Sequence, residues 1–124
     1  MFHKTKIYNM INITFDQKGT YQIIHLNGEF IGGAETDDLR KALTDAAKSK
    51  INNAILDLSG VTFLNSMTLG VLLSANALFN HQGGKVVLAN PSSYIKSIFE
   101  TTKLTLIFTI DKSIEDAVVT LEKQ

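Results

Sequence analysis

The stretch NAILDLSGVTFLNSMTLGVLL, residues 53–73, holds the two halves of one α/β unit. Residues 53–60 are too few and too apolar for a surface helix and predict a buried central strand. The apolar run breaks at Asn65-Ser66 and resumes at once, predicting a helix from about Ser66 to Gln82 that ends at the glycine pair 83–84. Asn and Ser are preferred helix N-caps, a role worth about 1 kcal/mol with no regulation attached. The same short entrance also carries two hydroxyls, Ser66 and Thr68, which raises a second reading, a modification switch.

The pattern continues on both sides. Residues 11–15 and parts of 20–26 alternate apolar and polar around the turn DQKG, which predicts an antiparallel hairpin. Leu39, Ala42, Leu43, Ala46 and Ala47 make one stripe of a helix over about 36–49, with Asp37 and Asp38 in its first turn. KVVLAN reads as another buried strand, Pro91 opens a third helix through SSYIKSIFETT, and LTLIFTI, residues 104–110, reads as a final strand. Ser113 caps a last helix whose inner stripe is Ile114, Ala117, Val118 and Leu121. The order ββαβαβαβα describes a single α/β domain with a mixed, mostly parallel sheet, an N-terminal β-hairpin and about four helices. Residues 1–10 form an N-terminal extension and 11–124 the domain.

Composition narrows the functional classes. Twelve basic and 12 acidic residues give zero formal net charge, which argues against a nucleic-acid surface. No cysteine is present, so disulfides, thiolate metal sites and thiol catalysis fall away together. No window approaches a membrane span and no signal-like stretch opens the chain, so a cytoplasmic protein without direct membrane insertion is expected. His3, His25 and His81 are scattered, without metal-ligand spacing, and no nucleophile elbow or phosphate-binding loop occurs. No enzyme, cofactor or metal is expected. Asp57 suggests a receiver-type phosphodomain, but the acidic pair such a domain needs after its first strand is missing. Its expected role is to shape the following loop through hydrogen bonds to the main chain.

Four segments in order, LNGEF, LDLSGVTFLNSMTLGVLL, GGKVVLANP and IFETTKLTLIFTIDKSIEDAV, resemble the STAS domain of bacterial anti-sigma factor antagonists over residues 13–122. The resemblance implies a regulatory binding protein that engages a serine-kinase anti-sigma factor and controls release of a sigma factor. Phosphorylation of a hydroxyl at the start of the second helix would switch it. Against the family stretch Asp-Ser-Ser-Gly-Leu-Gly, this chain has NSMTLG: Asn65 replaces the acid and Met67 the usual acceptor, while Leu69 and Gly70 match. The loop after LNGEF lacks the family's acid near Ile31 and is one residue longer. The acceptor is therefore Ser66, or Thr68, or the domain binds constitutively. Helical spacing puts Thr68 beside Leu72, Ala75 and Phe79, which favours Ser66.

The resemblance also implies that Leu69, Leu72, Leu73 and Phe79 face the sheet, which leaves Met67, Val71, Ser74 and Leu78 looking outward, either as a protein-docking stripe or as a side that adjacent helices cover. Gly28, Glu29 and Phe30 are expected beside Asn65, Ser66, Met67, Thr68 and Gly70 at one end of the sheet, completing the partner-binding surface. The same fold also serves as a subunit of stressosomes and of lipid-transport ABC complexes, and a homodimer is left open.

Overall fold

The computed structural model describes residues 5–7, by their backbone, and residues 12–123. Strands β1 (Thr5–Ile7), β2 (Ile13–Gln17), β3 (Gln22–Phe30), β4 (Asn53–Leu64), β5 (Lys85–Ala89) and β6 (Ile110–Asp111) lie side by side in chain order in one sheet. The pairs β1–β2 and β2–β3 are antiparallel and the remaining pairs parallel. Helices α1 (Ala34–Ala47), α2 (Ser66–His81), α3 (Ser93–Thr101) and α4 (Ile114–Glu122) fill the crossovers and the C-terminal end. This is the mixed, mostly parallel α/β architecture expected, with β1 added at the hairpin's outer edge. The hairpin turns at Gly19, whose φ of 76° suits glycine, and Lys18 N–H donates to the Tyr21 carbonyl at 2.8 Å.

Alternation along the strands builds two unequal cores. The larger joins Ile24, Leu26, Leu56 and Leu58 of the sheet to Leu39 and Leu43 of α1, Leu72 and Phe79 of α2, and Ile95 and Phe99 of α3. The smaller packs Ile23, Ile55 and Val87 against Ala117, with Ile114, Val118 and Leu121 of the same helix partly buried beside it. Three helices thus cover one face and α4 the other. The expected stripes of α1 and α4 are the ones that pack.

Three local expectations change. Residues 104–110 are not a strand: Leu104–Leu106 form a 3-10 turn entered through Lys103 at φ 63°, and β6 contains only Ile110 and Asp111. Leu104 and Phe108 are buried while Leu106 is 83% exposed, which strand alternation does not permit. Pro91 stands outside α3, because the Ser92 hydroxyl accepts from Ile95 N–H at 3.2 Å and sets the cap one residue later. Strand β4 runs to Leu64 rather than stopping near Gly60, because two register shifts against β3 absorb its extra residues. Gly60 belongs at the first shift, where a Cβ would collide with Asn27 and the Leu26 carbonyl.

Candidate functional site

The last β3–β4 pair, Phe30 with Leu64, brings the ends of two parallel strands together. Asn65, next in the chain, donates its N–H to the Phe30 carbonyl at 3.1 Å. Its side-chain Oδ1 accepts Thr68 N–H at 3.1 Å, so Asn65 is the N-cap of α2 and Ser66 the first helical residue. The Thr68 hydroxyl donates to the same Phe30 carbonyl at 2.8 Å. One carbonyl at the end of β3 therefore ties down both the turn before α2 and its first turn.

The 31–33 loop joins this junction from the other side. One carboxylate oxygen of Glu35, Oε2, accepts from Ile31 N–H at 2.7 Å, Gly33 N–H at 3.0 Å and the Thr36 hydroxyl at 2.8 Å. Gly32 N–H donates to Thr36 Oγ1 at 2.9 Å. The Thr36 hydroxyl bond, followed by the Ile31 main-chain bond, draws the Glu35 pKa down to about 2. Thr36 Oγ1 and Thr68 Oγ1 are 3.2 Å apart. Each hydroxyl has one proton. The Thr36–Thr68 contact is a hydrogen bond in which either hydroxyl can donate, in competition with the Thr36–Glu35 and Thr68–Phe30 bonds. The network fixes α1 to α2 where both helices begin.

Gly28, Glu29 and Phe30 do lie with Asn65–Gly70 at one end of the sheet. Glu29 is exposed, whereas the Phe30 side chain is fully buried, so Phe30 offers this edge only its carbonyl. Gly28 has φ 99°, and a Cβ there would meet Asn12 Nδ2 at 2.8 Å. Gly70 has open space where a side chain would begin. Ser66 is exposed and its hydroxyl bonds to no other described residue; Met67 is 56% exposed. Thr68 is wholly buried.

The outward stripe needs correction at Val71, which is 5% exposed because α1 packs beside it. Val71, Ser74 and Leu78 instead line a groove of about 230 Å³ with Arg40, Leu43 and Thr44 of α1. Ser74 is exposed and Leu78 half-buried on its rim. Leu69, Leu72 and Phe79 are buried in the core as expected, and Leu73 packs against it partly buried.

Ile31, Glu35 and Thr36 belong to this edge, and the sequence reading did not single out Glu35 or Thr36. Their signal was local: an acid and a hydroxyl in the first turn of a helix entered through Gly32-Gly33, where backbone N–H groups need acceptors. Ile31, 54% exposed, adds a second exposed apolar side chain to this edge, next in the chain to the Gly32 that Met67 approaches.

A separate polar pair lies on the α4 face. The β3–β4 register sets His25 beside Asp57, with Nδ1 and Oδ2 2.6 Å apart, while Asp57 Oδ1 accepts Ser59 N–H at 3.0 Å at the first register shift. Burial works to raise the Asp57 pKa, but the bonds from His25 and Ser59 outweigh it and hold the carboxyl below the usual aspartate range. Asp57 thus shapes its own strand and, at 7% exposure, is turned away from solvent. Among the described residues, no three His, Cys, Asp or Glu side chains cluster to hold a metal, and no helix is long and apolar enough to cross a membrane.

Known structures share the fold. TM1081 of Thermotoga maritima superposes with a TM-score of 0.80 at 22% identity, over 87% of this chain and 92% of its own. The anti-sigma factor antagonist SpoIIAA matches in its unphosphorylated form with a TM-score of 0.75 at 19% identity, over 90% and 97%. Its phosphorylated form from Bacillus gives 0.67 at 20%, over 87% and 97%. A sulfate transporter family protein from Wolinella succinogenes gives 0.68 at 16%, over 81% and 83%. At these identities the likeness is one of fold. The sequence itself matches the profile of the STAS domain over residues 12–117, and the chain belongs to the STAS domain family.

Proposed function

We propose that this protein is an anti-sigma factor antagonist-like regulatory module that docks a serine-kinase anti-sigma factor, and that Ser66 is its phosphoacceptor. The docking edge comprises Gly28–Ile31, the exposed residues Ser66 and Met67, and the α2 flank at Ser74 and Leu78. The observation supporting the choice of acceptor is the contrast between two hydroxyls two residues apart. Ser66 is exposed and unengaged, while Thr68 is buried and bonded to Phe30.

The switch follows from electrostatics. A phosphate adds a charge of about −1.5 to −2. On Ser66 it would stand at the positive end of α2, where the helix tolerates it and the fold survives. The edge is another matter, since a dianion beside Ile31 and Met67 makes an apolar contact costly to desolvate.

Capture from lysate of the protein's own cells tests this. Immobilised wild type and Ser66→Ala should retain a serine-kinase-type protein, and Ser66→Asp should lose it by at least about tenfold, equivalent to about 1.4 kcal/mol. Equal retention by all three would refute the switch. Recovery of transport or large-assembly subunits in place of a kinase would refute the partner class.

A further inference from the structure

We propose that Met67 is a peroxide-sensitive modification site whose reversible sulfoxidation reshapes the docking edge. Its effect on docking rests on the function proposed above; the modification itself does not.

The chain contains no cysteine, so its three methionine thioethers are its soft nucleophiles toward a peroxide. Met67 is the one methionine among the described residues, and it is 56% exposed. Its sulfur rests over Gly32. The point where a side chain on Gly32 would begin lies 2.9 Å from Met67 Sδ and 3.6 Å from Asn65 Nδ2. Asn65 has its Oδ1 committed to Thr68, and its Nδ2 makes no hydrogen bond to another described residue. A reactive sulfur and an idle amide donor therefore converge on the same glycine.

The oxidant is hydrogen peroxide. A sulfur lone pair attacks one peroxide oxygen, the S–O bond forms as the O–O bond breaks, and the departing hydroxide takes the proton from the transferred OH. The products are sulfoxide and water; sulfur loses two electrons and the peroxide gains them. A thiol-dependent methionine sulfoxide reductase reverses the step. The new oxygen is a strong acceptor on a sulfur seated where a side chain on Gly32 would begin. It turns toward Asn65 Nδ2 or toward water, and either move lifts the thioether from Gly32. The exposed thioether of Met67 becomes a polar sulfoxide on an edge that also exposes Ile31.

The test treats the full chain with hydrogen peroxide and follows it by peptide mass spectrometry and amide NMR. Met67 should oxidise at a rate comparable to that of free methionine, because its thioether is exposed. The Gly32 main-chain and Asn65 side-chain signals should shift, and the reductase should restore them. Met67→Leu should show no shift at either position. Asn65→Asp keeps the cap but loses the donor, and should still shift Gly32. Oxidation more than about tenfold slower than free methionine, or a sulfoxide that leaves Gly32 and Asn65 unmoved, would overturn the site.

Capture from lysate then tests the consequence. The sulfoxide form should retain at least about tenfold less of the kinase-type protein than the reduced form, with peroxide-treated Met67→Leu unaffected. Equal retention by oxidised and reduced protein would overturn the regulatory effect. If the reduced protein retains no kinase, the docking reading fails, while the NMR result still decides the modification site.

Discussion

The Thr68 hydroxyl sits 2.8 Å from the Phe30 carbonyl and 3.2 Å from the Thr36 hydroxyl, locking the end of β3, the start of α1 and the start of α2 into one buried junction. This makes Thr68 a structural residue that holds its exposed neighbours Ser66 and Met67 in place. Thr68→Val keeps the shape but removes the donor, and should cost about 1–2 kcal/mol in urea unfolding. A double-mutant cycle with Thr36→Val should give a coupling of about 0.5–1 kcal/mol. Strict additivity would show that the two hydroxyls do not act together.

Glu35 gives the edge a pH dependence with a defined sign. Its folded pKa is about 2 against an ordinary 4.5, so its contribution is complete above the ordinary value and is lost as pH falls from there through about 2. Hydrogen exchange at Ile31 and Gly33, the two amides bound to its carboxylate, should accelerate relative to the core over that window. Glu35→Gln should abolish the pH dependence. A wild-type loop whose relative protection is flat from neutral pH to pH ~2 would contradict the assignment.

Asp57 provides an independent test on the opposite face. Its folded pKa is also depressed, so the stability it adds is present above the ordinary aspartate value and lost as pH falls through its lower folded value. Asp57→Asn should cost about 1–3 kcal/mol near neutrality, because both His25 and the Ser59 N–H lose a charged acceptor. The gap between wild type and variant should close in acid. A gap that widens there would reverse the sign and refute the pairing.

Along α2 the groove separates the buried Val71 from the proposed docking flank at Ser74 and Leu78. Val71→Lys buries a charge beside α1 and should unfold the domain or cost several kcal/mol. Leu78→Lys, at the half-buried rim, should fold with a loss of about 1 kcal/mol or less while weakening capture of the partner. If Leu78→Lys and Ser74→Lys both fold and dock like wild type, the α2 flank lies outside the interface.

The elements legible in the sequence are those with one clear periodicity or cap: the hairpin around Gly19, the Leu39–Ala47 stripe, a cap at Asn65 or Ser66 that the structure gives to Asn65, and Ser113 before α4. Residues 104–110 misled because nearly every position is apolar, so alternation carried no information until Leu106 was seen outside and Leu104 and Phe108 inside. The polar Ser59-Gly60 step has the pattern of a strand end, whereas two register shifts carry β4 through it to Leu64. The placement of residues 28–30 beside 65–70 followed from strand order. The contacts that make the site did not: Thr68 with Phe30 is 38 residues apart, Thr36 with Thr68 is 32, and His25 with Asp57 is 32. Such pairs exist only once the β3–β4 register is set. The fate of Val71 likewise depended on where α1 lies.

The central claim is that Ser66 is the switch on a docking edge. The most direct measurement is site-resolved phosphopeptide mass spectrometry of the protein isolated from its own cells, in bound and unbound pools. Phosphate is expected on Ser66, enriched in the unbound pool, with none on Thr68 and a serine-kinase-type protein in the bound pool. Phosphate on Thr68, or Ser66 phosphate shared equally between the two pools, would contradict that claim.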